Sequence, residues 1–150
     1  MRTPIVAGNW KMFKTVAQAK ELVAAAKDGL LAVAGVDSVF CPPFMAVPAV
    51  AAAVAGTALG VGAQNMYWAD EGAYTGEVSG LMVKEFCQYV IIGHSERREY
   101  FCETDEDVNK KILAALGHGL MPIVCVGESL NVRQAGDTEA WVAAQVARSR

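Results

Sequence analysis

The sequence predicts an α/β protein built from strand–helix units around a parallel sheet. Three observations lead there. Five short runs, residues 5–7, 39–41, 59–61, 89–92 and 122–126, are continuously apolar. Runs without polar alternation are typical of strands covered on both faces. Segments with helical periodicity follow these runs. No linker, low-complexity tract or charge block divides the 150 residues, which therefore read as a single domain, 1–150. Parallel strands need crossover connections, and these run right-handed. An open doubly wound sheet and a (β/α) barrel both accept the pattern.

Residues 5–7 form the first expected strand. The turn after it, Gly8-Asn9-Trp10-Lys11-Met12-Phe13, lacks G-x-G-x-x-G. A nucleotide-binding open sheet thereby loses its main support. Thr15-Val16-Ala17-Gln18 has the form of a capping box and opens a helix with Leu22, Val23, Ala26 and Leu30 on one face. Residues 46–54 form a second, short, Ala-rich helix before the strand at 59–61. The apolar stretch 46–63 is mostly Ala, Val and Gly, interrupted by Pro48, Gly56 and Thr57. It is too weakly apolar to span a bilayer, although the mean hydropathy of the chain is +0.26. A third helix is expected over 79–86. A fourth, over 104–116, takes Thr104 as its cap, sets Val108, Ile112 and Leu116 on one face, and ends at Gly117 and Gly119. Asp137 begins a fifth, with Trp141, Val142 and Val146 apolar.

Composition narrows the function. Hydrophobic residues make up 53% of the chain, enough for a real core. Thirteen Lys and Arg against sixteen Asp and Glu leave a net charge of −3, without the basic excess of a nucleic-acid surface. The four cysteines, Cys41, Cys87, Cys102 and Cys125, form no C-x-x-C pair. Neither His94 nor His118 stands at a ligand spacing from one, so no metal site is expected. Cys41 and Cys125 lie in strand-like runs and read as small buried hydrophobes. The N-terminal segment is too briefly apolar for a secretion signal, which leaves the cytoplasm as the expected compartment and disfavours disulfides.

In parallel α/β folds the active site collects at the C-terminal ends of strands. The polar residues expected there are Asn9 and Lys11, Gln64 and Asn65, His94, Ser95 and Glu96, and Glu128. Lys11 could stabilise an oxyanion, or simply lay its stem over Trp10. Ser95 reads as an N-cap and Glu96 as a first-turn acid. A histidine beside that helix start faces backbone N–H groups, which disfavours its protonation. Arg97 and Arg98 read first as scaffolding. His118, at a helix exit, reads as a partner of the C-terminal dipole. Residues 64–80 carry Met66, Tyr67, Trp68 and Tyr74 without clear periodicity, as an interface loop does.

Several motifs, in this order and spacing, resemble one family. They are Gly8-Asn9-Trp10-Lys11-Met12, Gly62-Ala63-Gln64-Asn65, Gly72-Ala73-Tyr74-Thr75-Gly76-Glu77, Tyr89-Val90-Ile91-Ile92-Gly93-His94-Ser95-Glu96-Arg97-Arg98 and Cys125-Val126-Gly127-Glu128. The family is triosephosphate isomerase, and the resemblance runs the length of the chain. It implies a TIM (β/α) barrel, here an incomplete one of about five parallel βα units. It implies a glycolytic isomerase that uses no cofactor and interconverts dihydroxyacetone phosphate and glyceraldehyde 3-phosphate. Lys11 and His94 take the catalytic roles, and Asn9 and Lys11 line the substrate site. His94 is then the neutral electrophile that is already the known device of this family. Ser95, Glu96 and Cys125 support the site, with Glu96 near Lys11 and Cys125 a buried thiol behind it. Tyr74, Thr75, Glu77 and Arg98 belong to a subunit interface through the 64–80 loop.

Two positions depart from the family pattern. Phe13 stands where many members have a polar residue, and Cys102 where a glycine is common. The family's glutamate base, its lid and its phosphate-gripping loops belong after residue 150. The chain is therefore expected to hold the Lys/His half of the site and to need a complementary C-terminal segment or chain. The alternative is an inert half-barrel that self-associates through open sheet edges.

Overall fold

The computed structural model describes residues 2–149. Five parallel strands, β1 (Ile5–Asn9), β2 (Asp37–Cys41), β3 (Gly60–Ala63), β4 (Tyr89–Ile92) and β5 (Met121–Val124), pair in the order of the sequence. The units curl into an incomplete barrel with the helices outside. Among the described residues, seven α-helices follow the strands, with a 3-10 turn at Phe44–Ala46 before the second: α1 (Val16–Leu31), α2 (Val47–Val54), α3 (Gly80–Lys84), α4 (Ser95–Tyr100), α5 (Asp105–Gly117), α6 (Leu130–Ala135) and α7 (Thr138–Arg148). Two were absent from the expected five: α4, present only as a capped turn at Ser95, and α6.

Local signals set the helix starts. Thr15 and Thr104 each close a capping box, with Gln18 and Asp107 returning the bond. Ser79 and Ser129 cap α3 and α6. The core lies in two layers. Val23, Val50, Val61, Val90, Ile92 and Val108 fill the space between sheet and helices. Val39, Cys41, Tyr89 and Ile91 pack on the inner face, with Ala7, Ile123 and Cys125 at the margin. Each fully buried Val or Ile contributes about 1.5–3 kcal/mol. The inner layer is tight at Gly62, where a Cβ would lie 2.9 Å from Cys41 Sγ and 3.2 Å from Tyr89 Cβ.

Four expectations about burial need correction. The outer strands are not covered on both faces: Val6 on β1 is 62% exposed and Met121 on β5 49%, because each has one neighbour strand instead of two. Leu116 is also exposed, since the buried face of α5 runs through Val108, Lys111 and Ala115. On α7 it is Gln145 that is buried, while Trp141 and Val146 face outward. Finally, Met66 in the expected interface loop is completely buried in the core of its own chain. Among the described residues, no helix is long and apolar enough to cross a membrane.

Candidate active site

The C-terminal ends of β1, β3 and β4 bring three loops together. Asn9 is the last residue of β1 and not a loop residue, because the strand runs two residues beyond the expected 5–7. Its Oδ1 accepts the backbone N–H of Lys11 at 2.9 Å. Lys11 adopts a left-handed backbone, φ +52°. A non-glycine residue in that region costs on the order of 1–3 kcal/mol, held by its surroundings. The turn aims the side chain across the sheet end, where Nζ lies 2.6 Å from Glu96 Oε1.

Glu96 comes from α4, beyond β4. Gly93, at φ +73°, makes the turn between them, and a Cβ there would press on Val108 at 2.9 Å. His94 then caps α4: its Nδ1 accepts the Glu96 backbone N–H at 3.2 Å. This corrects the expected cap at Ser95, which is instead the first helical residue. An accepting Nδ1 leaves Nε2 to carry the ring proton as a donor. Glu96 Oε2 lies 3.6 Å from the same Nδ1. That is too long for a hydrogen bond, and the backbone N–H fixes the tautomer. The hydrogen bond from Lys11 holds the Glu96 carboxyl below its ordinary range, and the Lys11 charge acts the same way against desolvation.

Cys125 lies half-buried beside the inner core layer instead of fully enclosed, because β5 has no further strand on its outer side. Desolvation still raises its thiol pKa. Ser95 and Cys125 both line a 750 Å³ cavity with His94, Glu128 and Trp141. Glu128 is held by Arg133 Nε at 2.7 Å, and that bond lowers its pKa, which makes it a weak base. Among the described residues, no three His, Cys, Asp or Glu side chains are placed to hold a metal ion.

Arg98 joins the strand end to α5, donating to the Gly93 carbonyl at 2.8 Å and to Asp105 at 2.6 Å. It is scaffolding within this chain. Tyr67 stacks on Trp68, and Tyr74 packs against Tyr67 at a tilt of 43°, so the 64–80 loop carries an aromatic cluster of its own. Tyr74, Thr75 and Glu77 are exposed near its tip. His118 is the C-cap residue of α5 through its backbone N–H, and its ring Nε2 lies 2.7 Å from Asp70 Oδ1 in that loop. Cys102 has φ +55°, a left-handed backbone that glycine adopts more readily. Sequence reasoning named Gln64 as a strand-end residue and gave it no role. Its side chain bridges two loops, donating to Lys11 O at 3.0 Å and to Cys41 O at 2.8 Å.

A family model described as triosephosphate isomerase matches residues 4–150. The chain belongs to the triosephosphate isomerase family. Among relatives named triosephosphate isomerase, that of Chloroflexus aurantiacus is 56% identical over 147 residues, covering 97% of this chain and 59% of the relative. That of Moorella thermoacetica is 54% identical with the same coverage. The solved triosephosphate isomerase of Bartonella henselae superposes with a TM-score of 0.93 at 34% identity, over 99% of this chain and 62% of that one. The chain thus spans about three-fifths of the triosephosphate isomerases that it matches.

Proposed function

We propose that this chain supplies the Lys11/His94 half of a triosephosphate isomerase site. The substrate is a triose phosphate, and the proton moves through an enediolate. The observation that carries the reading is the convergence of Lys11, Glu96 and His94 at one sheet end, with Lys11 Nζ 2.6 Å from Glu96 and His94 Nδ1 bonded to the α4 N-terminus. His94 Nε2–H donates to the carbonyl oxygen as charge develops there and returns a proton between the two oxygens. Lys11 stabilises the enediolate oxygen and, with Asn9, holds the substrate. Glu96 and Ser95 set the geometry of this pair, and Cys125 backs it.

Carbon-acid chemistry also needs a positioned base, and such groups contribute roughly 10²–10⁴-fold. The glutamate base and the phosphate loops come, in this reading, from a complementary C-terminal part, continuous with this chain or separate. The exposed Tyr74, Thr75 and Glu77 serve an oligomer interface, which Arg98 helps to hold. The glycolytic reaction assigns the work to the cytoplasm.

The test is a mixing experiment. The 150-residue chain is assayed alone, then with a polypeptide carrying the remaining βα units. Turnover only in the mixture supports the reading, and full activity from the chain alone overturns the division of the site. A second reading rests on the exposed apolar residues of the outer strands, Ile5, Val6, Met121 and Val124. There the half-barrel is inert and pairs with itself through these edges. A homo-oligomer that stays inactive with the complement selects it.

A further inference from the structure

Lys11 is held at several points at the sheet end, and its own side chain does not explain its backbone. Its backbone is left-handed at φ +52°. Its N–H is tied to Asn9 and its Nζ to Glu96. The ion pair joins two side chains that are each about half exposed. Such a pair is screened and contributes little to holding a strained backbone. The carbonyl of Lys11 is therefore the decisive handle.

That carbonyl is bound by Gln64. A side-chain amide nitrogen carries two N–H groups. In Gln64 one points to Lys11 O at 3.0 Å and the other to Cys41 O at 2.8 Å. Cys41 O is the last acceptor of the β1–β2 ladder and also receives the Trp10 N–H at 3.0 Å. One nitrogen thus fastens the turn after β1 to the ends of β2 and β3. Asn65, the next residue, is itself anchored, since its Oδ1 accepts from the buried Lys111 ammonium at 2.9 Å. The backbone that carries Gln64 is thereby fixed from the far side of the sheet.

We propose that Gln64 is the positioning residue for Lys11: the two N–H groups of its amide hold the left-handed turn that presents the lysine to the site. This requires a double donor and not merely a side chain of the right size. Glutamate has the same shape and, when ionised, only accepts. It sets negative oxygens against two carbonyls. Methionine fills similar space and donates nothing. The structural claim stands on the geometry alone, and its kinetic consequence rests on the function proposed above.

The test compares the parent chain with Gln64→Glu and Gln64→Met by amide hydrogen exchange, read peptide by peptide. Exchange across residues 8–14 is expected to accelerate about tenfold or more, the loss of one or two hydrogen bonds. The peptide covering α5 stays as protected as in the parent. Acylation of the Lys11 amine, read by mass spectrometry, changes in the same variants. In the mixed, active preparation KM for triose phosphate rises more than kcat falls, because the ammonium is still present but displaced. Unchanged exchange at 8–14 in both variants overturns the proposal. So does an acceleration spread equally over α5, which marks a structural role. The exchange readout needs no turnover, so an inactive parent counts against the function and leaves this result to stand by itself.

Discussion

Lys111 Nζ lies 3.1 Å from Glu103 Oε1, and both side chains are almost wholly buried, 5% and 3% exposed. Arg97 Nε takes the second carboxylate oxygen at 2.7 Å, and Asn65 takes another ammonium proton. The cluster ties α4, α5 and the end of β3 into one body behind the site. Lys111→Met leaves Glu103 Oε1 and Asn65 Oδ1 without their buried donor while Arg97 still holds the other carboxylate oxygen, so a loss of about 1–3 kcal/mol of stability is expected. The check is a shift of the denaturant midpoint at constant slope. A loss under about 1 kcal/mol contradicts the assignment of a buried pair.

Lys11→Ala is expected to reduce turnover of the completed site by about 10²–10³-fold or more, the scale for removing a preorganised donor to a developing oxyanion. Steady-state kinetics of the mixed preparation decide it. Turnover equal to the parent contradicts the role.

Thr75→Arg puts a long charged side chain at the exposed tip of the aromatic loop. Association is expected to weaken, visible as a lower mass in dilute solution by sedimentation or light scattering. An unchanged mass argues against the loop as an interface.

The thiols are expected to separate by reactivity. Burial pushes Cys41 and Cys87 up to about 12, while Cys102 is exposed. A thiol reagent at about pH 8 should label Cys102 first and leave Cys41 and Cys87 silent until the protein unfolds. Early labelling of Cys41 is the contrary result.

Acid should weaken the Lys11–Glu96 contact. The Glu96 carboxyl is depressed below its ordinary value of 4.5 by the Lys11 hydrogen bond. A depressed carboxylate adds stability above the unfolded value and loses it as the pH falls through the folded one. Because the pair is about half exposed and screened, the parent chain should lose only a small part of its stability below about pH 4.5, and Glu96→Gln should flatten that part of the curve slightly. Identical acid limbs for the two proteins would falsify the coupling.

What the sequence made legible was whatever is local. The Thr15 and Thr104 boxes are written in four consecutive residues, and both form. α6 was missed although Ser129 before it and Gly136 after it are a cap and a left-handed stop. Its six residues are too few for a periodic signal. At the site, the strand-end positions of Asn9, Lys11 and His94 were readable, and the contacts were not. Capping propensity favours Ser95, and nothing nearby announces that His94 Nδ1 takes the bond instead. The bridge from Gln64 to Lys11 spans 53 residues and depends on sheet curvature, which no local pattern encodes. The exposure of β1 and β5 follows from their place in the sheet, which composition does not reveal.

The sheet pairs each strand only with its neighbours in sequence. Every ladder therefore closes a single strand–helix loop, which keeps closure entropy small and favours growth of the fold one unit at a time. The Lys11–Glu96 bond breaks that rule by joining residues 85 apart. It can form only after four strands have docked in order. In a refolding experiment it is the chronometer of the molecule, the contact whose appearance dates the arrival of the last strand it depends on.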